Sequence, residues 1–134
     1  MNKIEAIELR TDKRYGKFFT HQPARPRVEV KRAKGKIIVE VKDFISPTII
    51  ERLNMDHTIF RAQVTDWRAM VDSVMIDTAY NGRVFNVALS DVPERKTDLV
   101  AGRYELPAPK GPTTVAVKIT DMLGEEVLVT AEVR

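Results

Sequence analysis

The sequence predicts a mainly β fold, a sandwich of short strands with at most one short helix. Two alternating stretches and the spacing of turn signals carry that reading. Thr114–Thr120 and Val127–Val133 alternate apolar and polar residues on either side of Asp121-Met122-Leu123-Gly124-Glu125. Period-2 alternation around a glycine-containing turn is the pattern of a β-hairpin with one buried face. Arg27–Lys31 and Lys36–Lys42 repeat the pattern around Arg32-Ala33-Lys34-Gly35. Counting the runs between these hairpins gives about seven or eight strands separated by turn signals, the layout of a sandwich or barrel.

Taken in order, residues 2–10 read as a strand or a short helix, with strand preferred, and Thr11–Gly16 as a charged turn. Gln22-Pro23-Ala24-Arg25-Pro26 is an extended breaker, since each proline fixes its own φ and restricts the residue before it. The chain therefore divides into a basic N-terminal arm and linker, 1–26, and a domain, 27–134. In the first hairpin Val28 and Val30 pair in register with Ile37, Val39 and Val41. Ser46-Pro47-Thr48-Ile49-Ile50 carries a capping serine followed by proline, the start signal of a short helix. Met55–Asp66 is a loop or a short strand at Thr58–Phe60.

Trp67–Asp77 is the next apolar run. Asn81-Gly82 then predicts a tight hairpin turn, because both residues tolerate positive φ. Arg83–Ser90 follows as a strand with Phe85, Val87 and Leu89 inward. Asp98–Leu106 is a strand kinked at Gly102, and Pro107–Pro112 turns into the final hairpin. There Val115, Val117 and Ile119 share one face, opposite Val127, Val129, Ala131 and Val133. The closing order, a Gly-x-Tyr strand, a Val-rich strand, an Asp-x-x-Gly turn and a last strand, resembles the end of immunoglobulin-like domains. The fold expected is thus an Ig-like β-sandwich with one short helix, from residue 27 onward; a small barrel is the alternative.

The 134 residues suffice for one domain with its own core. Zero cysteines exclude disulfides and thiolate chemistry. No apolar run approaches membrane-spanning length, and the first residues lack the apolar stretch of a signal peptide, so no membrane association and a cytoplasmic home are expected. The net charge of +3 is unevenly placed. Residues 1–36 carry +7 and residues 37–134 carry −4. Lys31, Arg32, Lys34 and Lys36 crowd one hairpin tip. A solvated arm accounts for such a bias as well as attraction to a polyanion does.

Catalytic constellations are missing. His21 and His57 are 36 residues apart with no cysteine between them, which is no metal-site spacing. Asp66, Asp72, Asp77, Asp121, Glu125 and Glu126 read as turn carboxylates. Ser46, Ser73 and Ser90 lack a nucleophile-elbow context, and no glycine-rich phosphate loop is present. Trp67 is expected to pack into the core. Tyr15, Phe18 and Phe19 interleave with Lys13, Arg14 and Lys17, which suits either single-strand stacking or packing of the arm on the domain. No catalytic residue, cofactor or metal is expected.

Asp66-Trp67-Arg68-Ala69-Met70-Val71-Asp72-Ser73-Val74-Met75-Ile76-Asp77, then Tyr80-Asn81-Gly82-Arg83-Val84-Phe85-Asn86, then the Val115–Val129 hairpin, resemble the C-terminal region of adenine-specific DNA methyltransferases of type III restriction–modification systems. The resemblance spans about residues 27–134. The Asp-Pro-Pro-Tyr-like and S-adenosylmethionine motifs of those enzymes are absent; Pro107-Ala108-Pro109 and Asp91-Val92-Pro93 do not qualify. What the resemblance implies is a non-catalytic accessory domain, concerned with dimerisation, contact with double-stranded DNA, or docking of a methyltransferase domain or restriction subunit. Phosphate contacts would come from Arg25, Arg27, Lys31, Arg32, Lys34 and Lys36. An Ig-like protein-interaction or homodimerisation module without nucleic-acid binding is the other reading.

Overall fold

A computed structural model describes residues 24–52, 66–95 and 98–134. The expectations for residues 2–10, for the Tyr15–Phe19 aromatics and for a Thr58–Phe60 strand lie outside the described residues. Among the described residues seven strands form, β1 (Arg25–Ala33), β2 (Lys36–Ile45), β3 (Val71–Asp77), β4 (Leu89–Asp91), β5 (Arg103–Pro107), β6 (Thr113–Asp121) and β7 (Glu126–Val133). They make two antiparallel sheets, ordered β1-β2-β5 and β4-β3-β6-β7. The chain crosses between them three times, from β2 to β3, from β4 to β5 and from β5 to β6.

The core follows from the alternation. Ile37, Val39, Val41, Tyr104 and Leu106 from the first sheet meet Val74, Ile76, Val115, Val117 and Ile119 from the second, all buried. The first hairpin has the register that its apolar pattern dictates, Val28 opposite Val41 and Val30 opposite Val39. Its connection is Lys34-Gly35, with φ of 52° and 76°. Two successive positive φ values give the turn twist that matches right-handed strands. β1 takes in Arg25 and Pro26, and Ala24 is already buried, so regular structure starts slightly before Arg27.

The helix signal is also realised. α1 spans Pro47–Arg52, and Ser46 caps it by accepting a hydrogen bond from Ile49 N at 3.2 Å. Trp67–Met70 is a turn of 3-10 helix rather than the start of a strand. Asp66 caps it, accepting from Arg68 N at 3.0 Å. Trp67 then lies against Gly102, where φ is 86° and any Cβ would come within 3.0 Å of Trp67 Cζ2. Gly102 is thus fixed both by backbone conformation and by the indole beside it.

One expected strand does not form. Residues 78–88 make no regular strand, β4 is only Leu89–Asp91, and Asn81-Gly82 is not a tight hairpin turn. Asn81 Oδ1 instead accepts from Arg83 N and Val84 N, a local side-chain turn that starts an excursion. Asp77, buried at the end of β3, then holds that excursion at both ends, accepting from Ala79 N at 2.9 Å and from Asn86 N at 2.8 Å. Phe85 does not face the core. It packs near Tyr80 and takes Lys118 Nζ over its ring at 4.7 Å, on the outer face of the second sheet. Val87 is likewise exposed.

Candidate functional site

The six basic residues singled out by sequence occupy three different environments. Arg25, Arg27 and Lys31 alternate along β1 on its solvent side. The outer face of the β1-β2-β5 sheet that they share is a mixed lattice of charge. Lys42 Nζ lies 2.9 Å from Glu40 and 3.7 Å from Glu29. Glu105 is shared by Lys36 at 3.8 Å and Arg103 at 3.6 Å. Lys36 is therefore partly neutralised, whereas Arg25, Arg27, Lys31 and Lys34 make no ion pair among the described residues. The hydrogen bond from Lys42 holds the Glu40 carboxyl below its ordinary range, and the same bond raises the Lys42 ammonium.

Lys34 stands exposed at the apex of the hairpin. Arg25 is nine residues away along the same strand, ~30 Å at about 3.3–3.4 Å per residue. The six residues are consequently not one cluster; Arg25, Arg27, Lys31 and Lys34 make a row that runs the length of the sheet and ends in a tip.

Arg32 behaves differently from its neighbours. It faces inward with Val28 and Val30, and its guanidinium donates to the carbonyls of Pro109 at 2.8 Å and Gly111 at 2.5 Å, in the β5–β6 connection. That connection is tied to the hairpin a second time, by Ala108 N donating to Gly35 O at 3.0 Å. Two segments far apart in sequence thus form one end of the sandwich. Lys110, missed by the sequence reading, lies exposed between the two carbonyls that Arg32 binds. The only sequence cue for it is a lysine in a Pro/Gly-rich turn, which says nothing of what stands next to it.

At this same end the strands β3, β6 and β7 leave an open cleft of about 500 Å³, lined by Tyr80, Asn81, Thr113, Thr114, Glu132 and Arg134 among others. Thr113 Oγ1 donates to Thr78 O at 2.6 Å and closes one wall. The opposite end is acidic, with Asp72, Asp121, Glu125 and Glu126 near the β6–β7 turn and the start of β3. Asp121 is fully buried there and accepts from Leu123 N and Glu125 N, so its place in the turn is structural.

The remaining polar clusters have evident packing roles. Tyr104 OH donates to Asp91 Oδ2 at 2.6 Å and accepts from Gly102 N at 3.1 Å, and Ala101 N donates to the same Asp91 oxygen at 2.8 Å. Burial first, and then the bond to Asp91, push the Tyr104 hydroxyl far above its ordinary range, so it stays protonated and latches β4 to β5. Asp66 and Arg68 form a bidentate pair, with Nη2 to Oδ2 at 2.7 Å. That bond lowers the Asp66 carboxyl and raises the Arg68 guanidinium. No group of three or more histidine, cysteine or acidic residues is placed to hold a metal among the described residues. No helix among them is long and apolar enough to cross a membrane. Comparison with protein-family models, curated proteins and solved structures finds no match to this chain.

Proposed function

We propose that the chain is a non-catalytic, Ig-like β-sandwich module of a DNA-modifying system, which contacts the phosphate backbone of double-stranded DNA beside a methyltransferase domain or restriction subunit in the cytoplasm. One observation carries the reading. Arg25, Arg27, Lys31 and Lys34 point outward along one strand and its tip without a carboxylate partner among the described residues, while Lys36, Lys42 and Arg103 on the same face are paired. Unpaired cations in a row are what a phosphate backbone requires, and they position a protein on DNA without reading its sequence. The Ig-like reading is supported by the strand order. Lettered as in an Ig domain, with the short β4 as C′ and no D strand among the described residues, the sheets become A-B-E and C′-C-F-G, with three crossings between them.

The test is fluorescence anisotropy with a labelled duplex of about 25 base pairs at low and high salt. Micromolar binding that collapses with salt, and is lost in the Arg27→Ala/Lys31→Ala/Lys34→Ala variant, is the expected result. Absence of binding at low salt overturns the proposal.

A second reading has its own observation. Val84, Val87 and Leu128 are exposed on or around the outer face of the second sheet. They favour a protein-interaction or homodimerisation module, for which the oligomeric state by light scattering is the measurement.

A further inference from the structure

We infer that the phosphate-contacting surface is a composite of two loops, in which Lys110 joins Lys34 as a direct contact and Arg32 is a positioning residue that holds the two loops together. The inference rests on the proposed duplex contact and deepens it.

The charge of Arg32 meets neutral partners. Its two hydrogen-bond partners are backbone carbonyls, of Pro109 and Gly111, 77 and 79 residues away in sequence. Its Nε is buried with no hydrogen-bond partner among the described residues. Carbonyls are neutral dipoles, so they orient the guanidinium without cancelling its charge. Two of the guanidinium's nitrogens are engaged by the β5–β6 connection, yet its charge still adds to the field at this end of the sandwich.

The consequence falls on Lys110. Its neighbours on both sides are held by the same planar fork, and Ala108 N is held by Gly35 O at 3.0 Å. The turn that carries Lys110 is therefore clamped against the turn that carries Lys34. A clamped turn presents its lysine with less ordering left to be done on binding. Lysine cannot replace arginine here, because an ammonium lacks the rigid planar fork that spans two carbonyls. The carboxylate at this end that belongs to the first sheet, Glu105, is already engaged by Lys36 and Arg103, so neither Lys34 nor Lys110 is neutralised by it. Glu132, on the second sheet, is the acidic residue on the cleft side.

The test measures duplex affinity against salt for the wild-type chain, Lys34→Ala, Lys110→Ala, Arg32→Lys and Arg32→Lys/Lys110→Ala. Each direct phosphate contact removed should shrink the ratio of affinities between about 50 and 200 mM salt by about three- to fourfold, the effect of losing one unit of counterion release. Lys34→Ala and Lys110→Ala should each show that loss. Arg32→Lys keeps the charge but should weaken binding, and Lys110→Ala should then cost distinctly less in the Arg32→Lys background than alone. Amide exchange at Ala108, whose N–H donates to Gly35 O, should quicken in Arg32→Lys while the β2 core stays protected, which separates an opened clamp from a misfolded chain. If Lys34→Ala weakens binding but Lys110→Ala does not, the composite surface is wrong and the duplex contact stands. If Lys110→Ala costs the same in both backgrounds, Arg32 is not a positioning residue. If the wild-type chain binds no duplex, both readings fall.

Discussion

The two sheets treat their outer faces in opposite ways. The β1-β2-β5 face is bare and charged, with its cations and carboxylates set at alternate positions. The β4-β3-β6-β7 face is clothed by the chain itself, through residues 78–88, which hang from the buried Asp77 and lay Phe85 over Lys118. The difference separates stability from recognition. Charges in water contribute little to folding because their attraction is screened and their desolvation is avoided. A buried carboxylate that accepts backbone N–H groups is costlier to disturb, because hydrogen bonds to a charged acceptor are stronger than neutral ones and two of them go at once. The bare face is therefore open to evolve a partner, while the clothed face is committed to holding the fold.

Breaking the clothed face should have the largest effect. Asp77→Ala orphans Ala79 N and Asn86 N together, and should destabilise by about 3 kcal/mol, given about 1.5–3 kcal/mol for each bond to a charged group and incomplete additivity. Urea unfolding measures it, and an unchanged midpoint would show that the 78–88 excursion is not anchored there. Phe85→Ala comes next. It removes a half-buried ring and its cation–π contact, and about 1–2 kcal/mol should be lost. The anchor at Asp77 should survive, so the same urea series should rank this variant below Asp77→Ala.

The bare face supplies the smallest effect. Glu40→Gln should leave the unfolding midpoint at neutral pH where it is. The sign of the remaining pH dependence is fixed. The Glu40 carboxyl is held below its ordinary value by the bond from Lys42. Whatever it adds is thus present above the unfolded value of ~4.3 and is lost as pH falls through the lower folded value. Any gap between wild type and Glu40→Gln must close on acidification, and a gap that widens would contradict the pairing. Stability of this variant alongside a loss of DNA binding in Arg27→Ala/Lys31→Ala/Lys34→Ala would sharpen the division between the two faces.

Which parts could be read from sequence follows from how local their causes are. The first and last hairpins and the Ser46 cap were legible because a period of two and a serine–proline start act over a few residues. Arg83–Ser90 has equally clean alternation, yet it lies over a sheet instead of joining one. What decides its course is a carboxylate nine residues before Asn86, whose burial no local pattern announces. The basic row on β1 was legible as charge. The separate duty of Arg32 and the arrival of Lys110 were not, since both depend on a connection more than seventy residues downstream.

Trp67 gives the molecule an optical property. It is the chain's sole tryptophan, half-buried against Gly102, at the far end of β5 from the Lys34 tip. Its emission wavelength therefore reports whether the region that joins the two sheets is closed to water. Unfolding should shift that emission to the red, whereas a duplex bound at the tip should leave it unmoved. Read beside the anisotropy of the labelled duplex, it can thus distinguish a protein that has released DNA from one that has come apart.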